Sequence, residues 1–344
     1  MRDLSCGDTR VYLQFEVRRI DCTQCGKVKT ETVPFLANNP FYTERFGQYV
    51  GERCRNASIQ SVAKELRLDW QTVKALEMDY MRAQLERAGP ATPRAIGVDE
   101  ISIRKGHTYR IVVSDLELGR AIWFGGDGRK EVDMAKFYDT IGKQASSKIE
   151  VAVMDMWKPL RNALKAHAPQ AQIVFDKFHI MSHLGKAMDA VRKAEYARVS
   201  GEDRRYIKGQ KYTLLSHREN LSLEGRKALK QLLAANKRLN TAYLLKEQFG
   251  QMWNFRSPSG ARKFFERWRE ALKWQRLKPY EAFAEMIERH WDGIVSYCNP
   301  QNKVALGFVE GLNNKIRVIQ RRAYGLRDEE YLRLKILTCQ LPQL

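Results

Sequence analysis

Three acids stand where an acid is costly. Asp99 ends the apolar run Ala95-Ile96-Gly97-Val98, and Asp155 ends Val151-Ala152-Val153-Met154. Glu310 lies in "LGFVEGLNNKI", read as the apolar side of an otherwise basic helix. Both aspartates fall at the C-terminal ends of expected buried strands, where α/β sheets place their sites. If those strands are neighbours, the two carboxylates approach each other, and a helix packed across the sheet brings in Glu310. Converging carboxylates raise one another's pKa unless a cation sits between them. Mg²⁺ suits such a place, being hard, oxygen-loving and usually held by few carboxylates plus substrate phosphates. Two such ions activate an attacking oxygen and stabilise a leaving one in an in-line phosphoryl displacement. The plainer alternative is that each acid pairs with a Lys or Arg. Asp99 shares the inward alternation of Gly97 and Ile101, so Glu100 points to the opposite face of the strand and takes a supporting role.

A second chemistry-bearing pattern is Cys22 and Cys25 in "DCTQCGKV". This C-x2-C pair is half of a structural zinc site, which needs four ligands. Cys6 and Cys54 are candidates for the other two. The alternative is a turn carrying two reduced thiols.

The elements that must position these residues follow from pattern. The chain has 344 residues and 44% hydrophobic residues, enough for two or three domains. Residues 1–43 hold the alternating, strand-like run "RVYLQFEVRRI" ahead of the Cys pair. Residues 44–90 read as a helix-turn-helix. Ile59, Val62, Ala63 and Leu66 share one helical face, Asp69 is an N-cap, and Val73, Leu76 and Tyr80 repeat the spacing. In that unit the second helix enters the DNA major groove, which makes Gln71, Thr72 and Lys74 candidate contacts; an ordinary αα-hairpin is the alternative. "AGPATPR" is a linker. Residues 94–198 then read βββαβαβα, with turns at Lys105-Gly106 and Leu118-Gly119, which is a mixed sheet covered by helices. Residues 199–298 carry almost no strand signal and form a helical block. Its aromatics Trp253, Phe264, Phe265, Trp268, Trp274 and Trp291 fall at helical spacing and read as core. Residues 299–344 are helical again, with a basic run through Arg322.

Charge narrows the partner. The net charge is +20 and the pI about 9.7, and residues 156–296 hold 28 Lys/Arg against 14 Asp/Glu. Such an excess favours a polyanion, nucleic acid first, because each cation that meets a phosphate releases a counterion. No apolar run approaches the roughly 20 residues that span a bilayer. "MRDLSCGDTR" has no apolar h-region. The chain therefore reads as cytoplasmic, with no membrane partner.

Four blocks in order, "GVDEISIRKGHTY", "AVMDMWKPL", "IVFDKFHI" and "VEGLNNKIRVIQRRAYGLRD", resemble the signature blocks of the ISL-three family of bacterial insertion-sequence transposases. The resemblance covers about residues 1–340. It implies a ribonuclease H-like DDE catalytic core of two parts, 94–198 and 299–344, split by the helical insertion. Ahead of it come the helix-turn-helix domain and a partial zinc-ribbon-like segment. It further implies Asp99, Asp155 and Glu310 as the catalytic acids and ligands of two Mg²⁺ ions, with Mn²⁺ as a substitute. Their separations are 56 and 155 residues. Glu100, Trp157, Asp176, His179, Asn313 and Asn314 become supporting residues, with a buried packing role open for His179. Lys315, Arg317, Arg321 and Arg322 become DNA contacts. The family carries an additional Cys pair upstream of "RVYLQFEV"; Cys22 and Cys25 match the half present here and leave Zn²⁺ possible. The implied activity is metal-dependent cleavage and strand transfer of DNA at terminal inverted repeats, by a homodimer or larger assembly. A nuclease or resolvase on the same fold, and a DNA-binding regulator without catalysis, are the rivals.

Overall fold

The structure, a computed structural model, describes residues 1–104 and 108–344. The turn expected at Lys105-Gly106 lies outside the described residues. Five strands hydrogen-bond in the order β5-β4-β3-β6-β7: β3 (Ala95–Arg104), β4 (Thr108–Asp115), β5 (Arg120–Gly125), β6 (Val151–Met154) and β7 (Gln172–Phe175). A separate two-stranded ribbon pairs β1 (Arg19–Cys22) with β2 (Lys27–Thr30). The chain gathers into two compact units. The first comprises Met1–Ala91, Val112–Gly125 and Val309–Leu344; the second comprises Thr92–Ile111 and Gly126–Phe308.

The first unit is built on α1 (Glu44–Asn56), α2 (Ile59–Leu66) and α3 (Trp70–Ala88). Ser58 and Asp69 cap α2 and α3 by accepting from the amides of Ser61 and Gln71. Arg67, between these helices, takes a left-handed φ of 50° and closes α2. The expected apolar stripe forms the core: Phe46, Val50, Val62, Ala63, Val73 and Leu76 are buried together. Tyr80 belongs to a second cluster with Met81, Tyr331 and Leu334. α1 and α3 approach so closely that a Cβ at Gly51 would lie 2.2 Å from the Tyr80 ring, which requires glycine there. α14 (Gly307–Arg322) and α15 (Glu329–Thr338) complete this unit, with α15 packed on α3 and β5.

The alternating run at residues 10–20 does not form the expected strand. Only Arg19 and Ile20 enter β1, and Tyr12 makes an isolated bridge to Arg2. Alternation makes a strand only when a neighbour takes its backbone hydrogen bonds and one face is covered. Here Tyr12 and Val17 stay exposed.

In the second unit, α4 (Glu131–Ser146) packs on α5 (Lys158–His167), and the 22-residue α6 (Lys177–Arg198) is the spine of the helical block. α7 (Gly201–Gly209), α8 (Lys211–Leu215), α9 (Leu223–Ala235), α10 (Lys237–Gly250), α11 (Pro258–Leu272), α12 (Lys278–Arg289) and α13 (Trp291–Val295) follow, and α10 and α12 lie along α6. Tyr280 of α12 is fully buried, and its hydroxyl donates to the Ala242 carbonyl at 2.7 Å. Trp253, Phe265 and Trp268 are core as expected. Trp274 is not: it is 94% exposed.

Candidate active site

β3 and β6 run parallel with Gly97 opposite Val153, and β6 and β7 run parallel with Met154 opposite Phe175. The buried positions Ile96, Val98, Ala152, Met154 and Val174 hold these strands in the core. β6 and β7 stop at Met154 and Phe175, but β3 runs on to Arg104, so Asp99 lies within β3 and not at the strand end expected for it. Carrying the β3–β6 register two residues on sets Asp99 level with Asp155. The next residue after β7, Asp176, caps α6 by accepting from the Phe178 amide at 2.9 Å. That cap is buried, and it aims the first turn of α6 back at the two carboxylates.

His179, in that turn, stands between them. Its Nδ1 is 3.6 Å from Asp155 Oδ2, and its Nε2 is 4.0 Å from Asp99 Oδ1. Each carboxylate also accepts the amide of the residue that follows it: Glu100 N–H donates to Asp99 Oδ1 at 2.7 Å, and Met156 N–H donates to Asp155 Oδ1 at 2.6 Å. These bonds orient the two carboxylates.

Glu100 pairs with Arg129 Nη1 at 3.2 Å. Burial pushes its carboxyl above the ordinary range, Arg129 pulls it down, and Asp99 and Asp155 push it up. Arg129 is itself held firmly. Its guanidinium lies over the Tyr109 ring at 4.8 Å and the Trp157 ring at 5.0 Å, and Trp157 Nε1–H donates to the Arg129 carbonyl at 3.0 Å. Arg129 was not singled out from sequence. Its signal in the sequence is slight: the first of two basic residues in "GGDGRKEVD" just before α4. His183, one turn along α6 from His179, was missed as well. Burial lowers its pKa, while Asp155 raises it.

The donor set fits a hard cation. Two oriented carboxylates at one strand edge are what Mg²⁺ commonly takes from a protein, the remaining oxygens coming from water and phosphate. Among the described residues, no group of three or more His, Cys, Asp or Glu is placed as a metal site.

Glu310 lies in the first turn of α14, in the first unit. It is exposed, and here the expectation is corrected. The buried stripe of α14 is Val309, Leu312, Asn313, Ile316 and Ile319. Position 310 is rotated about 100° from position 309 on a 3.6-residue helix and falls off that stripe. Asn314 is exposed and accepts from Arg317 at 3.0 Å.

The expected DNA contacts divide. Gln71, Arg317 and Arg321 are exposed and Thr72 half-buried. Lys74 is paired with Asp328 within the first unit, whereas Lys315 and Arg322 donate there to the Cys339 and Arg55 carbonyls, neutral acceptors that leave their charges unbalanced.

Cys22 and Cys25 sit in the turn between β1 and β2. The Cys25 amide and thiol lower the Cys22 pKa. Cys54 cannot join them: it is fully buried in the apolar core of α1, and burial drives its thiol far up. Cys6 is exposed in a turn that bridges to Thr9.

Comparison with known proteins matches these regions separately. Residues 96–336 match the family model for the ISL3 DDE transposase, and residues 31–80 match the helix-turn-helix domain of transposase family ISL3. The chain is 33% identical over 339 residues to the transposase for insertion sequence element IS1001 of Bordetella parapertussis, covering 98% of this chain and 83% of that one. It is 25% identical over 355 residues to the transposase for insertion sequence element IS1557 of Mycobacterium tuberculosis (strain H37Rv), covering 96% and 79%.

Proposed function

The chain belongs to the ISL3 family of transposases, and from that premise we propose that it moves an insertion sequence by cutting and joining DNA at the edge formed by Asp99 and Asp155. The observation that carries the reading is the pair of level, amide-oriented carboxylates flanking His179 in a chain of net charge +20.

In this reading Asp99 and Asp155 would hold Mg²⁺, and Glu310 is the third acid that membership of the family implies. When bound, such ions lower the pKa of the attacking water and offset charge on the leaving oxygen. The protein's own residues do the rest. The Glu100 and Met156 amides fix the carboxylate rotamers. His179 keeps the two acids apart and oriented. Arg129 balances Glu100 so that a third negative charge does not crowd the pair. α2 and α3 read the terminal inverted repeats through Gln71 and Thr72, and Arg317 and Arg321 hold phosphates. The catalytic part is ribonuclease H-like, formed by 94–198 and 299–344, with 199–298 inserted and the helix-turn-helix at 44–90. Two ends must be joined, so the active form is a homodimer or larger. Among the described residues no helix is long and apolar enough to cross a membrane; a cytoplasmic site of action fits a DNA substrate. Zinc does not fit as placed: Cys22 and Cys25 supply two of four ligands, Cys54 is committed to the core, and no step is assigned to zinc.

The test is Asp155→Asn, assayed with labelled duplex carrying the element ends. Loss of both cleavage and strand transfer, with end binding retained, supports the reading. Unchanged strand transfer sinks it, and cutting without joining by the native chain favours a nuclease instead.

A further inference from the structure

Among the described residues, four non-glycine residues have a left-handed backbone: Arg67, Trp274, Arg276 and Tyr324. Arg67 closes a helix. The two aromatic ones, Trp274 and Tyr324, are also the most exposed large hydrophobic side chains described, at 94% and 93%. A bulky residue at positive φ is strained, and an aromatic ring in water gains nothing from burial, so such a position lacks a purpose within the isolated fold.

Tyr324 has a built setting. It stands in the loop between α14 and α15, with φ 50°, and is followed by Gly325 at φ 106°. The loop borders a cavity of about 470 Å³ in the first unit. Ile59 and Trp70 line it from α2 and α3, and Lys74, Arg322 and Arg327 line it with Tyr324. Trp70, at the first position of α3, is 45% exposed rather than buried. The cavity thus has two aromatic side chains open to solvent, an apolar wall and several cations. Its acid, Asp328, is neutralised by Lys74 at 2.5 Å.

We propose that this cavity takes one unpaired nucleotide of a DNA end, its base against Tyr324 and Trp70 and its phosphate on Arg322 and Arg327. The proposal rests on the transposase reading. The chemistry selects this occupant. Any base offers a π face, so aromatic stacking accepts it whatever its identity, and cations draw the phosphate. In a closed duplex the base faces are covered by their neighbours, so these rings can be filled only where a base has left the stack. Strand cleavage creates such bases at a DNA end. The position of the cavity beside the N-terminus of α3 places it next to the residues that would read the adjoining duplex.

The test uses the full chain and two oligonucleotide duplexes of one sequence. One ends in an unpaired 2-aminopurine nucleotide; the other is blunt with the same 2-aminopurine paired. The native chain is expected to bind the overhang duplex about tenfold more tightly than the blunt one, in line with the typical worth of one base–aromatic stack, and to quench the 2-aminopurine fluorescence. Tyr324→Ala should lose that tenfold and the quench while binding the blunt duplex as before. Tyr324→Trp should keep both, and Trp70→Ala should weaken the overhang duplex selectively. Equal loss on both duplexes would make Tyr324 a contact to paired DNA and overturn the proposal, as would equal affinity of the native chain for the two. Failure of the native chain to bind either duplex would instead count against the transposase reading on which the proposal stands.

Discussion

Glu77 and Asp155 are both carboxylates inside a folded unit, and they are treated in opposite ways. Glu77 is 1% exposed. Burial pushes its carboxyl up, yet Lys335 donates to it directly, the Tyr331 hydroxyl donates as well, and Lys335 also donates to the Cys54 carbonyl at 2.9 Å. The acid has a cation of its own, and the trio ties α15 to α1 and α3. Asp155 is half-buried, accepts one amide, and faces an imidazole that is charged only when protonated. An acid neutralised within the fold is part of the scaffold. An acid set level with another and flanking an imidazole is, in the proposed reading, arranged to receive a metal ion.

That contrast breaks most visibly at the site. Asp155→Asn should lower strand transfer by about 10³-fold or more, the equivalent of the several kcal/mol that a metal-held transition state gains, with the thermal midpoint unchanged or slightly raised. A fall in midpoint without loss of activity would reverse the assignment of roles. Lys335→Met is the mirror experiment. It leaves Glu77 buried without its cation and should reduce unfolding stability by about 3 kcal/mol in urea titrations. The double change Glu77→Gln with Lys335→Met should recover most of that loss, because no charge is then stranded. If Lys335→Met instead leaves stability intact, Glu77 is not the structural acid of the comparison.

Smaller effects sharpen the contrast. His179→Ala should slow strand transfer by about 10–100-fold, the usual scale for a residue that orients metal-holding groups, without changing the thermal midpoint. Lower stability with normal turnover would make it a packing histidine. Asp3 extends the comparison to pH. It is buried and accepts from Arg45 and from the Thr43 hydroxyl, and the Arg45 bond holds its carboxyl well below the usual range. A depressed folded pKa contributes stability above the unfolded value of about 3.9, lost as pH falls below it. The thermal midpoint of the native chain should therefore exceed that of Asp3→Asn at pH 6, and the gap should begin to narrow only as the pH falls below about 3.9, closing near the depressed folded value.

Much of the architecture is readable from local pattern. The apolar runs at 95–98 and 151–154 became neighbouring parallel strands, and the caps Ser58 and Asp69 start the helices of the 44–88 segment. The alternating run at 10–20 misled because it has the period of a strand but finds only short pairing, through the isolated bridge of Tyr12 to Arg2, and leaves Tyr12 and Val17 exposed. The side of α14 that Glu310 occupies was misjudged because four apolar residues near it in sequence do not define a stripe; only the packed face does.

What the sequence by itself determined is where the strands from 95 and 151 and the capped helices of 44–88 form, the excess positive charge, and the acids that follow the two apolar runs. These depend on spacing and on the cost of placing charge in apolar runs. The tertiary structure alone decided the rest: that His179 stands between Asp99 and Asp155, that Arg129 is clamped by Tyr109 and Trp157, and that Lys335 answers Glu77 from 258 positions away. These are contacts between side chains with no fixed spacing along the chain. Their partners are chosen by parallel register, by a buried helix cap and by the need to neutralise a buried charge, and each of those exists only once the elements have packed.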